Sequence, residues 1–147
     1  MKFRTLFLPG LMALTLAHTA GAAPITTIDD GDSLAASCHL ALTALDRGLD
    51  AIPGDQQAAP FVCMAYLAGV IAAARHANEL ARLRLAQVTG GKGSRDDFNL
   101  YCFDWNVRYG DAARIVLRYA RQHLDLAHQP AERLAMKALQ DAWPCRR

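Results

Sequence analysis

Phe61-Val62-Cys63-Met64-Ala65-Tyr66-Leu67-Ala68-Gly69-Val70-Ile71-Ala72-Ala73-Ala74 runs for fourteen residues without a charge. The stretch lacks the period-two alternation of a half-buried strand, and no such alternation occurs elsewhere in the chain. A helix from Phe61 to about Gln87 is predicted. A bilayer crossing needs about 20 consecutive apolar residues, and the uncharged run is shorter. The run is therefore read as a central, buried helix.

Working outward, the upstream connector from Leu49 to Pro60 carries two prolines and a Pro-Gly-Asp turn signal. Before it, Asp32 or Ser33 is suited to cap a helix whose apolar positions are Leu34, Cys38, Ala41, Leu42 and Leu45, ended by Gly48. Downstream, Thr89-Gly90-Gly91-Lys92-Gly93-Ser94 breaks the chain. It lacks the GxxxxGK[ST] spacing of a phosphate loop and follows a helix rather than a strand, so it is read as an interhelical loop. A third helix is predicted from about Val107 to Ala127, with Ile115, Val116, Tyr119, Ala120 and Leu124 inward. Gln129-Pro130 opens a fourth, since proline is tolerated in a first turn. Its core stripe is Ala131, Leu134, Ala135, Ala138, Leu139 and Ala142, Lys137 and Asp141 pair on the wet side, and Pro144 ends it. The predicted fold is all-α, a compact bundle of about four helices.

The first residues belong to a different kind of segment. Lys2 and Arg4 precede an apolar stretch from Leu6 to Ala17, and Ala20-Gly21-Ala22 supplies a small-residue cleavage site before Ala23. Residues 1–22 are read as a cleaved signal peptide and 23–147 as one domain, secreted or periplasmic and off the membrane once the leader is removed. Two of the 16 Lys and Arg residues lie in the leader, leaving 14 basic against 14 acidic groups in the domain. A domain of zero formal charge lacks the basic excess of nucleic-acid binders.

Cys38, Cys63, Cys102 and Cys145 are the only cysteines. An even set behind a secretory leader reads as two disulfides. Three pairings are open, and geometry favours one of them. If the third and fourth helices form an antiparallel hairpin, Cys102 before the third lies beside Cys145 after the fourth, leaving Cys38 to Cys63. Loops of these sizes would each add on the order of 3–4 kcal/mol in the chain-entropy model. No C-x-x-C pair favours a redox or metal site.

Cys63-Met64-Ala65-Tyr66-Leu67-Ala68-Gly69-Val70 resembles the C-x-G-Y-x-x-G-V segment of the Rap/Tai family of type VI secretion immunity proteins. Leu34-Ala35-Ala36-Ser37-Cys38, Cys102 ahead of a Leu117-Arg118-Tyr119 helix, and the tail Ala138-Leu139-Gln140-Asp141-Ala142-Trp143-Pro144-Cys145 agree in order. The chain departs from the pattern at Ala65, where the family has glycine, and at Phe103-Asp104-Trp105-Asn106, where it has a proline-containing turn. The link from Arg84 to Tyr101 is also longer than the family's. The resemblance implies an all-helical periplasmic protein, often a homodimer, that binds and obstructs a peptidoglycan amidase effector. Binding rather than turnover is the implied activity, with no cofactor.

Tyr66, Gly69 and Trp143 are expected to be structural, with Gly69 admitting a neighbouring helix and Trp143 packing beside the second disulfide. Two surfaces are candidates for partner binding. One is the loop from Gly90 to Tyr101, whose Arg95, Asp96, Asp97 and Tyr101 are suited to plug an enzyme cleft. The other is Arg114, Arg118 and Arg121, spaced four and three apart on one helix face. Catalytic signatures are missing: there is no G-x-S-x-G elbow, and His123 and His128 are five apart rather than the four of a zinc helix. No metal site is expected. The alternative function is a periplasmic chaperone or envelope-stress binding protein, which would hold many clients rather than one folded enzyme.

Overall fold

The structure, a computed structural model, describes residues 27–90, 99–104 and 106–145. The predicted leader, and Arg95, Asp96, Asp97 and Trp105, lie outside the described residues.

Helix α1 (Gly31–Arg47) begins earlier than predicted, capped by Asp30 rather than by Asp32 or Ser33. Asp30 is extended (φ −135°, ψ 176°), and its carboxylate accepts the Ser33 amide at 2.8 Å. Ser33 Oγ in turn accepts the Asp30 amide at 3.1 Å. The serine thus fills the role that Glu or Gln has in the usual capping box. Gly48 ends the helix at φ 90°, a conformation that L side chains rarely adopt.

Two single turns of 3-10 helix, Leu49–Ala51 and Gly54–Gln56, lead to α2 (Ala59–Thr89). The 31-residue α2 takes in Pro60 as a first-turn residue and ends at Gly90, φ 63°. An 18-residue window within Gly54–Thr89 has mean hydropathy 1.6, so by length and composition this helix, unlike the uncharged run alone, is sufficient for a membrane crossing. Its contacts are those of a bundle helix. Ala59, Cys63, Leu67, Ile71, Ala74 and Asn78, spaced four or three apart, are buried against α1, α3 and α4. The expectation of a central, buried helix holds for this face and is corrected on the opposite one, where Phe61 is 64% exposed. Among the described residues the other helices pack to one side of α2 and leave that face uncovered.

Helix α3 (Tyr109–Gln122) is shorter than predicted. The chain leaves helical geometry at His123 and makes a 3-10 turn over Leu124–Leu126, so Leu124, expected inward, is 76% exposed. Val116 is fully buried, with Ile115, Tyr119 and Ala120 half-buried beside it. Helix α4 (Ala131–Ala142) follows the predicted stripe: Ala131, Leu134, Ala135, Ala138 and Leu139 are buried and Ala142 is half-buried.

The start of α1 is pinned to the α3–α4 connection. The Gly31 amide donates to Gln129 O at 2.9 Å, the Asp32 amide to Ala127 O at 2.8 Å and the Ala131 amide to Asp29 O at 3.3 Å. A Cβ on Gly31 would collide with the Leu126 carbonyl, which is what requires glycine here. Across the bundle, Ser37 donates to Ala59 O at 2.6 Å, tying α1 to the start of α2.

Both disulfides are those the hairpin argument favoured, Cys38–Cys63 and Cys102–Cys145, each with a Cα–Cα distance of 5.1 Å. Cys38 and Cys63 are fully buried in the core. Among the described residues there are four α-helices and no strand, only an isolated bridge between Asp30 and Pro130.

Candidate partner-binding surface

Asn78 organises one flank of the molecule. It is 2% exposed, and its Nδ2 donates to Tyr101 O at 2.6 Å. Its Oδ1 accepts the amides of Leu100 at 2.8 Å and Tyr101 at 3.0 Å. One turn on, Arg82 donates to Asn99 Oδ1 at 2.6 Å and lies 3.7 Å from Glu79. The limb that returns to the core before α3 is therefore held by two side chains of α2. Cys102 then bonds to Cys145, and Phe103 is buried between Tyr101 and Trp143, with ring centroids 5.6 and 6.4 Å away. Trp143 packs against the core cluster and the ring of Phe103, the neighbour of Cys102 in sequence.

These contacts decide the position of Tyr101. Of the loop candidates it alone is described, and it is half-buried against the core rather than projecting as the tip of a plug. It forms one wall of a groove of about 310 Å³ between α2 and α4, shared with Val70, Ala77, Glu132 and Met136. A second hollow of about 350 Å³ lies along α2, lined by Ala72, Arg75, His76, Asn78, Glu79 and Arg82.

The arginine stripe lies elsewhere, on the outer side of α3. Arg114 is engaged with Asp111 at 3.0 Å and with Asp46 of α1 at 3.5 Å, whereas Arg118 and Arg121 are exposed. Such surface pairs contribute about 0–1 kcal/mol. Nearby, Tyr119 stacks on His123 at 3.9 Å. Burial, then the charges of Asp141 and Asp125, raises the Tyr119 hydroxyl above its ordinary range. Tyr66 is raised in the same way, by burial and then by Glu132. Both shifts favour neutral phenols, which suits packing rather than proton transfer near neutral pH.

A third surface was not singled out from the sequence. Phe61, Ala65, Gly69, Ala72, His76, Leu80 and Leu83 follow one another at intervals of four or three residues, and all are exposed. They form one continuous stripe along the uncovered face of α2. Gly69, expected to admit a neighbouring helix, faces outward, and a Cβ added there would meet nothing within 4 Å. The signal was present in the sequence: fourteen uncharged residues supply apolar groups to every side of the helix, more than a half-buried helix requires.

All four cysteines are in disulfides, so no thiol is available as a nucleophile. Among the described residues no group of three or more His, Cys, Asp or Glu is placed to hold a metal ion. The geometry defines a disulfide-stapled helical bundle whose uncommitted surface runs along one long helix. The family model of the Rap1a immunity proteins matches residues 30–145, from the Asp30 cap to the second disulfide, and the chain belongs to that family. No curated protein and no solved structure matches the chain.

Proposed function

We propose that this protein is a periplasmic immunity protein that binds and inhibits a peptidoglycan amidase effector of a type VI secretion system. The observation that carries the reading is the family match across residues 30–145, a span that includes all four helices and both disulfides. The leader read in residues 1–22 and the two cystines support a domain, 23–147, that works outside the cytoplasm. The protein acts by binding, and Arg95, Asp96 and Asp97, which precede in sequence the residues 99–101 held on α2 by Asn78 and Arg82, are the proposed effector contact. Arg118 and Arg121 form a secondary contact. The uncovered stripe of α2 is the proposed homodimer face, since small residues from Ala65 to Ala72 allow close helix approach between the larger Phe61 and Leu80.

The test is capture on the oxidised mature protein, followed by titration against each recovered enzyme. One cell-wall amidase, bound at equal stoichiometry and inhibited, is the expected result. Many unrelated envelope proteins, held without stoichiometry, would instead establish the chaperone reading, which the exposed apolar stripe also suits. Asp97→Ala is expected to weaken effector binding about tenfold or more while leaving the thermal midpoint unchanged.

A further inference from the structure

The two disulfides differ in access. Cys38–Cys63 lies at 0% exposure within the main core cluster, between α1 and α2. Cys102–Cys145 lies at the edge of the molecule, where Cys102 is half-buried and Cys145 exposed. Thiol–disulfide exchange requires a thiolate to reach a sulfur, so access separates the two bonds kinetically. In the sequence Cys145 is followed by Arg146 and Arg147. Adjacent cationic residues attract an incoming thiolate and stabilise a departing one.

The exposed bond also fastens different parts of the molecule. It joins the segment 99–104, which has no regular secondary structure, to the residues just after α4. Among the described residues that segment is also anchored by the Asn78 and Arg82 hydrogen bonds and the buried Phe103 ring. By contrast α1, α3 and α4 pack on α2 through Leu34, Leu67, Val116, Leu134 and Leu139, all of which lie on the helices and outside the segment that the bond fastens.

We propose that Cys102–Cys145 is a redox-addressable latch: a dithiol opens it while Cys38–Cys63 stays intact, and opening loosens residues 99–104 without unfolding the helices. A thiolate of the dithiol attacks Sγ of Cys145, forming a mixed disulfide and releasing Cys102 as a thiolate. The second thiol of the reagent then closes on the first and releases Cys145. The dithiol is oxidised by two electrons and ends as a disulfide, and the two cysteines are reduced and take up its two protons. With the oxidised, disulfide form of the reagent in excess the same exchange runs backwards: the reagent is reduced to its dithiol, takes up the two protons, and Cys102–Cys145 closes again.

The experiment titrates the oxidised protein with dithiothreitol under native conditions, traps thiols with iodoacetamide and locates them by peptide mass spectrometry. Cys102 and Cys145 are expected to become alkylated at a reductant concentration about tenfold or more below that for Cys38 and Cys63. At that intermediate point, amide exchange at Leu100 and Tyr101 is expected to rise about tenfold, with far-ultraviolet helicity retained. Simultaneous reduction of both bonds, or earlier reduction of Cys38–Cys63, would overturn the proposal. So would loss of helicity on opening, or unchanged exchange at Leu100 and Tyr101. The double variant C102S/C145S gives an independent check: it should show the same raised exchange in the oxidised state, and failure to fold would count against the latch.

Discussion

Asn78 satisfies three backbone groups with one side chain, and its removal takes that partner from two amides and a carbonyl. Leaving a buried polar group unpaired costs about 1–3 kcal/mol, partly relieved where water enters. Asn78→Ala is therefore expected to lower the unfolding free energy by about 2–4 kcal/mol in urea titration. Asn78→Leu restores the volume and none of the hydrogen bonds, so it should recover little of that loss. Gly31 makes a sharper test because the sign is at stake. At an ordinary first-turn position Gly→Ala stabilises by about 0.4–1 kcal/mol. Here the added methyl meets a backbone carbonyl, which cannot swing aside as a flexible side chain does. Gly31→Ala is expected to destabilise by about 1–3 kcal/mol, read as a lower thermal midpoint. Neither role was legible locally. Asn78 sits in the half of α2 where polar residues are ordinary, and the obstacle to Gly31 comes from Leu126, far along the chain.

At the scale of elements, periodicity and punctuation located four helices and the stops at Gly48 and Pro144, because those signals act within a turn or two. The errors came where a helix end depends on partners distant in sequence. Asp30 is extended because residues 29–31 pair with 127–131, and that pairing moved the cap from the predicted Asp32 or Ser33. The cap makes a pH prediction. The Ser33 amide first, then its hydroxyl, holds the Asp30 carboxyl below its ordinary value of 3.8. A depressed folded-state value means that the increment is fully present above 3.8 and is lost as pH falls through the lower folded value. Asp30→Asn keeps a capping oxygen without the charge. The fall in thermal midpoint between pH 5 and pH 3 should be smaller for Asp30→Asn than for the parent, and equal slopes would refute the assignment. On α2, Ala72→Glu places a charge in the middle of the uncovered stripe. If that stripe is the homodimer face, sedimentation should show monomers while helicity and thermal midpoint stay near those of the parent.

The whole molecule rests on a division between packing and cross-links. The cysteine pairing was legible because a helical hairpin brings its two outer ends together, and this depends on topology alone. The uncovered face of α2 was legible only in part: the charge-free run puts apolar groups on every side of the helix, but it does not specify how many neighbours the helix will find. Helices α1 and α2 are joined three ways near one point: by Cys38–Cys63, by Ser37 donating to Ala59 O, and by Leu34 and Leu67 in the shared core. The last two persist without the disulfide, so the double variant C38A/C63A should still fold. Its closed loop, with a sequence separation of 25, constrains the unfolded chain by about 3 kcal/mol in the chain-entropy model. Loss of two buried sulfurs adds a smaller packing term. A loss located in the unfolded state has its own signature: the released chain expands and exposes more surface, so the urea m-value should rise as the midpoint falls. A lowered midpoint with an unchanged m-value would place the loss in native packing instead. A chain without helicity at 25 °C would show that the α1–α2 contact cannot stand without its staple.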